Sequence, residues 1–334
     1  MTVQPRKKRR AKGVNQARYG YLFIAPFFLV YLIFQGYPLL NTIYLAFHRY
    51  MITGAHKTIG PTFDGLTNFR NVLVKGSTIQ VFQNTAIMWV LNFIPQILLA
   101  LLLAKWLTDR RLKVRGQAAF KVMIYMPNII TAASISMLFY SIFAFPQGPA
   151  NSVLAQLGII DKATYLNAGS AATVAFRFLE TGWSVRLIVA FINFWMWYGN
   201  TMIILIAGIH GINPNLFEAA EVDGASPNQI FMRITLPLLK PIMLYTLVSS
   251  LIGGLQMYDI PQMMQQQGTP AKAMTQTVTM YIMELVYEGT KDYGRGAAVS
   301  VLLFLVTGAI SLILFYLMSD REAKAPRNGK GARG

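Results

Sequence analysis

The sequence predicts an all-α polytopic membrane protein with six transmembrane helices, and two observations indicate this fold class. Hydrophobic residues make up 54% of the 334 residues and charged residues only 13%, which is about half the charged share of a soluble domain. The charged residues are also segregated, because six long stretches contain no Asp, Glu, Lys or Arg. A soluble protein would need a much larger chain to cover six such helices, so we expect them to lie in lipid.

Each uncharged stretch is close to the roughly 20 apolar residues that a helix needs to cross the hydrocarbon core. The six predicted spans are Tyr21–Leu40, Ala86–Ala104, Val122–Phe145, Leu187–Ile209, Ile242–Tyr258 and Ala297–Met318. The first span is too long for a signal peptide and lacks a small-x-small cleavage site, so we interpret it as a retained anchor. The chain is therefore divided into a basic tail 1–18, a membrane domain 19–318 and a basic tail 319–334.

The net charge of +17 is unevenly distributed along the chain. The two tails and the segments 105–121 and 210–241 carry 20 of the 30 Lys and Arg residues but only 6 of the 13 Asp and Glu residues. Basic residues favour the cytoplasmic side of a membrane, which predicts that both termini and these two segments are cytoplasmic. The basic run at 6–10 could instead bind nucleic acid, but topology already accounts for it, and we expect no nucleic-acid partner.

Several common chemistries find no support in the sequence. There is no cysteine and there are only three scattered histidines, so a thiolate or histidine metal site is not expected. The chain has no G-x-x-x-x-G-K-[ST] phosphate loop, and its predicted spans contain no ionisable residue of the kind that relays protons. We therefore expect a protein that is not an enzyme and holds no cofactor. A secondary carrier that binds sodium through backbone carbonyls stays an alternative.

The cytoplasmic segment 210–241 carries the signals of two short helices joined by a glycine. The Asn-Pro pair at 213–214 combines a good N-cap with a proline at the first helical position. Gly224 suits the left-handed residue that ends a helix, and the Ser-Pro pair at 226–227 repeats the start. Three acidic residues in the segment make anionic lipid an unfavourable surface for it. We prefer a docking element for a cytoplasmic protein, with a helix pair resting on lipid as the alternative.

This segment resembles the EAA motif, EAA-x3-G-x9-I-x-L-P, of permease subunits of bacterial binding-protein-dependent ABC importers. The anchor positions of the motif are filled by Glu218, Ala219, Ala220, Gly224, Ile234, Leu236 and Pro237. Two longer stretches, YLFIAPFFLVYLIFQGYPLLNTIYLAF and YIMELVYEGTKDYGRGAAVSVLLFL, are similar to the carbohydrate branch of that family, the maltose/oligosaccharide and glycerol-phosphate type.

The resemblance implies a type I ABC importer permease fold in the bacterial cytoplasmic (inner) membrane. It implies four protein partners: a second permease subunit, two ATP-binding cassette subunits that bind ATP and Mg²⁺, and an external solute-binding protein. The remaining contacts would be with membrane lipid and with a carbohydrate substrate, preferably an oligosaccharide. Glycerol phosphate or another polar metabolite is the alternative substrate, although a phosphate would favour a basic residue within the spans.

The resemblance also assigns roles to individual residues of the segment. In the family, the EAA helix lies in a groove of the ATPase subunit and couples ATP-driven closure to the permease. The residues that match this coupling role are Glu218, Ala219, Ala220, Asp223 and Gly224. Pro237, at the entry of the fifth span, would pass the motion on to that helix.

Two predicted spans carry polar and aromatic residues at helical spacing, which places them on one face of each helix. The candidates for carbohydrate contact are Asn193, Trp197 and Asn200 in the fourth span and Ser249 and Gln256, with Gly253 between them, in the fifth. In maltose-type relatives these helices flank the translocation path, and the alternative is ordinary packing between helices. Weaker candidates are Asn92, Gln96, Asn128 and Asp259.

Overall fold

The computed structural model describes residues 16–53, 57–109, 116–167, 169–265, 271–289 and 291–318. Within these ranges the chain is mostly helical. The predicted tail 319–334 and most of the predicted tail 1–18 lie outside the described residues, so their cytoplasmic placement stays a prediction.

The predicted membrane spans correspond to helical segments. Four helices are long and apolar enough to cross a membrane, and two bent helix pairs bring the number of candidate spans to six. The four single helices are α1 (Tyr19–Ala46), α3 (Thr78–Thr108), α9 (Gly182–His210) and α16 (Tyr293–Met318). The two pairs are α4 (Gln117–Ile129) with α5 (Ala132–Ile142), and α11 (Pro227–Leu238) with α12 (Lys240–Leu255). A bundle of six candidate spans is the polytopic membrane fold that the sequence predicts.

The segments between these spans form short elements. A hairpin of β1 (His48–Ile52) and β2 (Thr58–Phe63) follows α1, and the sequence analysis did not predict it. The other short helices are α2 (Thr67–Arg70), α6 (Pro149–Gln156), α7 (Lys162–Leu166), α8 (Ala171–Val174), α10 (Pro214–Val222), α13 (Asp259–Met264), α14 (Ala271–Thr275) and α15 (Val278–Tyr287). The hairpin is antiparallel, and Met51 forms an isolated bridge with Asp292 just before α16.

The third span is not the single continuous helix that was predicted over Val122–Phe145. Its two halves, α4 and α5, meet at an angle of 86°. The break follows from the local sequence, because Pro127 lies in a 3-10 turn and Ile130 is extended with ψ 140°. Thr131 then starts a new helix by accepting a hydrogen bond from the Ser134 backbone N–H, as an N-cap residue does. The prediction of one straight span here is wrong.

The fifth span ends earlier than predicted, and it follows a bend that was not predicted. Helix α12 ends at Leu255 rather than at Tyr258, and it makes an angle of 64° with α11. A π-helical turn at Phe231–Thr235 and Pro237 lie before the bend, and Pro241 follows it. Proline removes a backbone donor and disrupts the preceding turn, so the change of direction has a local cause.

The fourth span is longer than predicted and includes a charged residue. Helix α9 begins at Gly182, five residues before the predicted start, and it therefore contains Arg186. This side chain is buried, with 6% of the residue exposed. The predicted span Leu187–Ile209 itself contains no charged residue, but the helix that includes it begins earlier and contains Arg186.

Helices α3 and α9 pack along each other at the centre of the bundle. The close approach of the bent α4 to α9 depends on Gly199, because a Cβ there would lie 2.2 Å from the Ile124 carbonyl oxygen. Helix α16 packs against α1 and α15, whereas the most apolar part of α1 has none of its residues buried in this chain. An apolar helix with no protein cover is suited to lipid or to another membrane subunit.

The bundle has two distinct ends. We refer to the end that carries the segment 210–241 as the loop end and to the other as the far end. The C-terminal turn of α3 lies at the loop end, because Lys105 in that turn hydrogen-bonds to Asn228 of α11. The N-terminal turns of α3 and α9 therefore lie at the far end, together with the short helices between α12 and α15.

Candidate functional site

A cavity of about 210 Å³ lies between the central helices α3, α9 and α12. The cavity lies midway along α3 and α9, because the first lining residue of each, Trp89 and Asn193, is about 11 residues after the start of that helix. The lining residues are Trp89, Asn92, Gln96, Asn193, Trp197, Asn200, Thr201, Ile204, Tyr245, Thr246, Ser249, Ser250, Gly253, Gly254 and Met257. Neutral polar groups and aromatic rings dominate this list, and charged side chains are absent from the lining that the structure describes.

The structure brings most of the sequence candidates for carbohydrate contact together. Asn193, Trp197 and Asn200 all line the cavity from α9, as their helical spacing predicts, and Ser249 lines it from α12. The Asn193 amide also donates to the Val189 carbonyl oxygen of its own helix at 2.9 Å. The arrangement places three hydrogen-bonding side chains and one broad ring on the wall of a single cavity.

Gln256 does not join this group. The spacing argument required α12 to continue through position 256, but the helix ends at Leu255 and Gln256 forms its C-cap with φ −101° and ψ 9°. Its side chain is exposed and lies outside the cavity lining. The placement of Gln256 beside Ser249 on one helical face is therefore wrong.

The sequence analysis missed Trp89 and underrated Asn92 and Gln96, which all line the cavity from α3. The signal was present, because positions 89, 92 and 96 have the i, i+3, i+7 spacing of one helical face. The Gln96 side-chain amide donates to the Thr201 hydroxyl at 2.7 Å, so this residue also joins α3 to α9.

Trp89 is held in a defined position across the cavity. Its indole N–H donates to the Ser250 hydroxyl at 3.2 Å, and its ring stacks on Phe93 with centroids 5.6 Å apart. The ring also lies against the backbone of Gly254, where a Cβ would approach Trp89 Cδ1 to 2.0 Å. Contact between α3 and α12 at this point therefore requires glycine.

The two remaining weak candidates lie elsewhere. The Asn128 side-chain amide donates to the Met196 carbonyl oxygen at 3.3 Å, which joins the broken third span to α9. Asp259 is exposed at the first position of α13 and is not part of the cavity lining. The structure thus gives Asn128 a packing role.

At the loop end, the segment 210–241 folds as the predicted pair of helices. Asn213 caps α10 by accepting from the Asn215 backbone N–H at 3.0 Å, with Pro214 at the first helical position. Gly224 follows the helix with φ +77°, a left-handed conformation. Ser226 then starts α11 with a reciprocal capping box to Gln229. The second helix runs to Leu238 rather than to about Ile234.

The predicted coupling residues divide between two faces of this unit. Glu218, Ala219 and Asp223 are exposed, as are Gly224 and, on α11, Pro237. Ala220 is instead buried against the rest of the chain, with 8% exposed. Val222 is 88% exposed, which adds an apolar tip to the acidic surface. The outer face of α10 therefore presents acidic, small and apolar groups.

The helix pair is joined to the bundle by Lys105 of α3. Its ammonium group donates to the Asn228 side-chain oxygen at 2.5 Å and lies 5.3 Å from the centre of the Phe231 ring. A second cavity of about 230 Å³ lies beside this contact, between the ends of α3 and α9 and the helix pair. The pair is thus connected to the bundle through a few side chains around a space.

A helical membrane bundle with a central cavity lined by uncharged polar and aromatic residues is typical of a membrane transport protein. The sequence model of the binding-protein-dependent transport system inner membrane component matches residues 96–324, which include the cavity helices α9 and α12 and the segment 210–241. The chain belongs to this family, and it is a multi-pass membrane permease.

Curated relatives cover nearly the whole chain. The lactose transport system permease protein LacF of Rhizobium radiobacter is 30% identical over 305 residues, which are 91% of this chain and 95% of that protein. The arabinooligosaccharides transport system permease protein AraP of Bacillus subtilis is 30% identical over 88% of this chain and 86% of its own length. The trehalose/maltose permease protein MalF of Thermococcus litoralis is 29% identical over 92% of this chain and 95% of its own.

The fold is also found in solved structures. A bacterial ABC transporter involved in the import of the acidic polysaccharide alginate matches with a TM-score of 0.72 at 23% identity, covering 92% of this chain and 97% of that chain. A second structure, of the alginate transporter in complex with alginate pentasaccharide-bound periplasmic protein, matches with a TM-score of 0.71. These matches establish the type I ABC importer permease fold.

Proposed function

We propose that this chain is the permease subunit of an ATP-driven importer that passes a carbohydrate, preferably an oligosaccharide, from an external binding protein into the cytoplasm. The names of the relatives, which refer to lactose, arabinooligosaccharides and trehalose/maltose, support a sugar as the substrate class. In this proposal the central cavity is part of the path along which the sugar moves.

The composition of the central cavity is the observation that carries the proposal. Sugars are bound by groups that hydrogen-bond to hydroxyls together with a flat apolar ring, and the wall offers Asn193, Asn200 and Ser249 beside Trp197. Polar side chains in a membrane protein favour positions that face a cavity. A wall without charge in its described lining favours a neutral sugar over glycerol phosphate, which would attract a basic group.

The helix pair at the loop end is proposed to receive the energy for transport. Its exposed residues Glu218, Ala219 and Asp223 would enter the groove of an ATP-binding cassette subunit, whereas Ala220 is buried within this chain. ATP and Mg²⁺ would bind to two such subunits and not to this chain. To convert almost the whole permease population from one conformational state to the other, the contact with the ATPase subunits must favour that state by about 5 kcal/mol.

The proposal includes an orientation of this chain in the membrane and its remaining partners. The loop end would face the cytoplasm together with both termini, which agrees with the excess of basic residues there. The far end would face the external binding protein. A second permease subunit would complete the path, and the uncovered apolar surface of α1 would contact lipid or that subunit.

Uptake measurements with a cavity variant test the function. We expect vesicles containing the assembled importer to take up a sugar only with ATP inside and the loaded binding protein outside. Trp197→Ala should lower uptake about tenfold, as expected for the loss of about 1.4 kcal/mol of ring contact. Trp106→Ala is the matched control, because Trp106 is similarly exposed but lies near the loop end of α3, outside the cavity lining.

Three results would contradict the proposal. Equal uptake by the Trp197 and Trp106 variants would remove the cavity from the sugar path. Screening the binding protein against sugars and glycerol phosphate would identify the alternative substrate if only the phosphate ester binds. Unaided transport by the isolated chain, without an ATPase subunit that co-purifies, would indicate a secondary carrier instead.

A further inference from the structure

Arg186 is a buried cation at the far end of α9 that has no part in the cavity wall. Only 6% of the residue is exposed. Its Nε donates to the Met274 carbonyl oxygen at 2.7 Å, and its terminal Nη2 donates to the side-chain oxygen of Asn84 on α3. Its guanidinium carbon also lies 4.9 Å from the centre of the Trp183 ring. None of these three partners is a carboxylate, so the charge is held by neutral groups.

The same cluster fastens the segment 271–277, which includes α14, to the central helices. The Asn84 amide donates to the carbonyl oxygens of Ala273 at 2.9 Å and Gln276 at 3.2 Å. Gln80, one turn nearer the end of α3, donates to the Ala273 carbonyl oxygen at 2.9 Å. Side chains of α3 and α9 therefore bind the backbone of one segment at three residues, Ala273, Met274 and Gln276.

The segment 271–277 also packs closely against the start of α9. Met274 lies directly on Gly182, where a Cβ would approach its sulfur to 2.3 Å. Ala271, Thr275 and Thr277 are fully buried. A segment that connects two helices is normally at the surface, so the burial of 271–277 across the helix ends indicates a defined position.

The segment lies over the far end of the central cavity. Asn84 and Asn92 are on the same face of α3, and at 1.5 Å per residue they are separated by about 12 Å along the helix. Between them lies an apolar layer of buried side chains, which includes Met88, Val189, Ile192 and Met257. The cavity is thus covered first by this layer and then by the hydrogen-bonded segment.

We propose that Arg186 and Asn84 are positioning residues that hold the segment 271–277 closed over the external end of the transport path. This inference rests on the proposed function for its orientation and path. A buried cation that loses its partners is unfavourable, so the closed arrangement persists until another contact compensates for the opening. Because the partners of Arg186 are a carbonyl and an amide rather than a carboxylate, opening would not separate Arg186 from an ion-pair partner.

The absence of cysteine from the whole chain allows a direct test of closure. Ser249→Cys places one thiol on the cavity wall with little change in size. The assembled importer carrying this substitution would be placed in right-side-out vesicles without sugar. The rate at which a membrane-impermeant maleimide added outside labels this chain then measures access from the far end.

We expect Arg186→Met to raise the labelling rate about tenfold, because access follows the population of the locally open state. The stem of Met keeps the packing volume while the charge and both hydrogen bonds are lost. Asn84→Asp should also raise the rate, since it keeps an acceptor for Arg186 but loses the donors to Ala273 and Gln276. Arg177→Met is the control, because Arg177 pairs with Glu180 at a more exposed position before α9.

An unchanged labelling rate in assembled Arg186→Met importer would overturn the inference. If that variant does not accumulate in the membrane, the labelling rate of Gln80→Ala tests the inference instead. This substitution removes a single exposed hydrogen bond to the same segment. A rate for Gln80→Ala equal to that of the parent would then also count against the closure. Labelling is independent of the sugar, so failure of the proposed substrate class appears in uptake and not in this measurement.

Discussion

Single side chains decide how closely the central helices approach one another. Gly254 on α12 and Trp89 on α3 share a space that a methyl group at position 254 would occupy. The indole must therefore move or the helices must separate if Gly254 is replaced. The same ring lines the cavity and donates a hydrogen bond to Ser250. The small size of Gly254 on α12 therefore determines where Trp89 of α3 lies in the cavity wall.

We expect Gly254→Ala to destabilise the importer by about 1–3 kcal/mol, the usual cost of adding volume to a packed site. It should also lower uptake by displacing Trp89. The checks are the thermal unfolding midpoint of the purified complex and its rate of sugar uptake. Gly308→Ala on α16 is the control, since a Cβ there meets nothing within 4 Å. Equal midpoints for the two variants would contradict the assigned contact.

Sequence reasoning at the residue scale succeeded where side chains share one unbroken helix. Asn193, Trp197 and Asn200 could be grouped from spacing alone because α9 continues through all three positions. The same reasoning failed for Gln256, since α12 ends one residue earlier. Trp89 was missed although it shares a helical face with Asn92 and Gln96. Only its contacts with Gly254 and Ser250, about 160 positions later in the chain, required the folded structure.

Breaks within elements give this bundle its shape. The third span bends by 86° and the fifth by 64°, and each bend lies beside a proline. A lipid-exposed helix break leaves backbone groups without partners, so such breaks are tolerated where protein buries them. The Asn128 amide bonds to α9 at the first of these breaks, and Pro237 lies just before the second.

The joint between α10 and α11 depends on the left-handed conformation of Gly224, with φ +77°. A side chain in that conformation costs about 1–2 kcal/mol, and asparagine tolerates it better than other residues do. We therefore expect Gly224→Ala to lower the number of sugars moved per ATP hydrolysed, with Gly224→Asn closer to the parent. Reconstituted vesicles measure both rates. An alanine variant that couples as well as the asparagine variant would show that the joint geometry is unimportant for coupling.

At the scale of the whole molecule, the helix pair of α10 and α11 and the central cavity lie at different depths of one bundle. Helix α3 connects them directly, because Lys105 contacts α11 while Gln96 and Asn92 line the cavity about two and a half and three and a half turns away. Helices α11 and α12 form the second connection. Motion of the helix pair would thus reach the cavity by two routes, of which the sequence analysis anticipated only the one through Pro237.

Glu218→Lys tests the coupling role in the assembled importer. Reversal of charge on the exposed face of α10 should lower uptake about tenfold, equivalent to about 1.4 kcal/mol of lost coupling. Insertion into the membrane should be unchanged. Uptake and ATP hydrolysis would be measured on the same vesicles, and Glu218→Asp, which keeps the charge, is the control. Normal uptake by the lysine variant would mean that α10 is not the coupling helix.

The sequence by itself determined the class of this protein. The length of the uncharged stretches, the uneven distribution of the basic residues along the chain and the EAA spacing are properties of the sequence that the fold cannot alter. The tertiary structure decided which polar residues meet, where two spans break and how Arg186 is accommodated. Contacts such as those of Asn84 with Ala273 and Gln276 join residues about 190 positions apart. Helical periodicity describes neighbours within a few turns and contains no information about such pairs. The packing of the helices alone therefore showed which helices share the cavity and which segment lies at its far end.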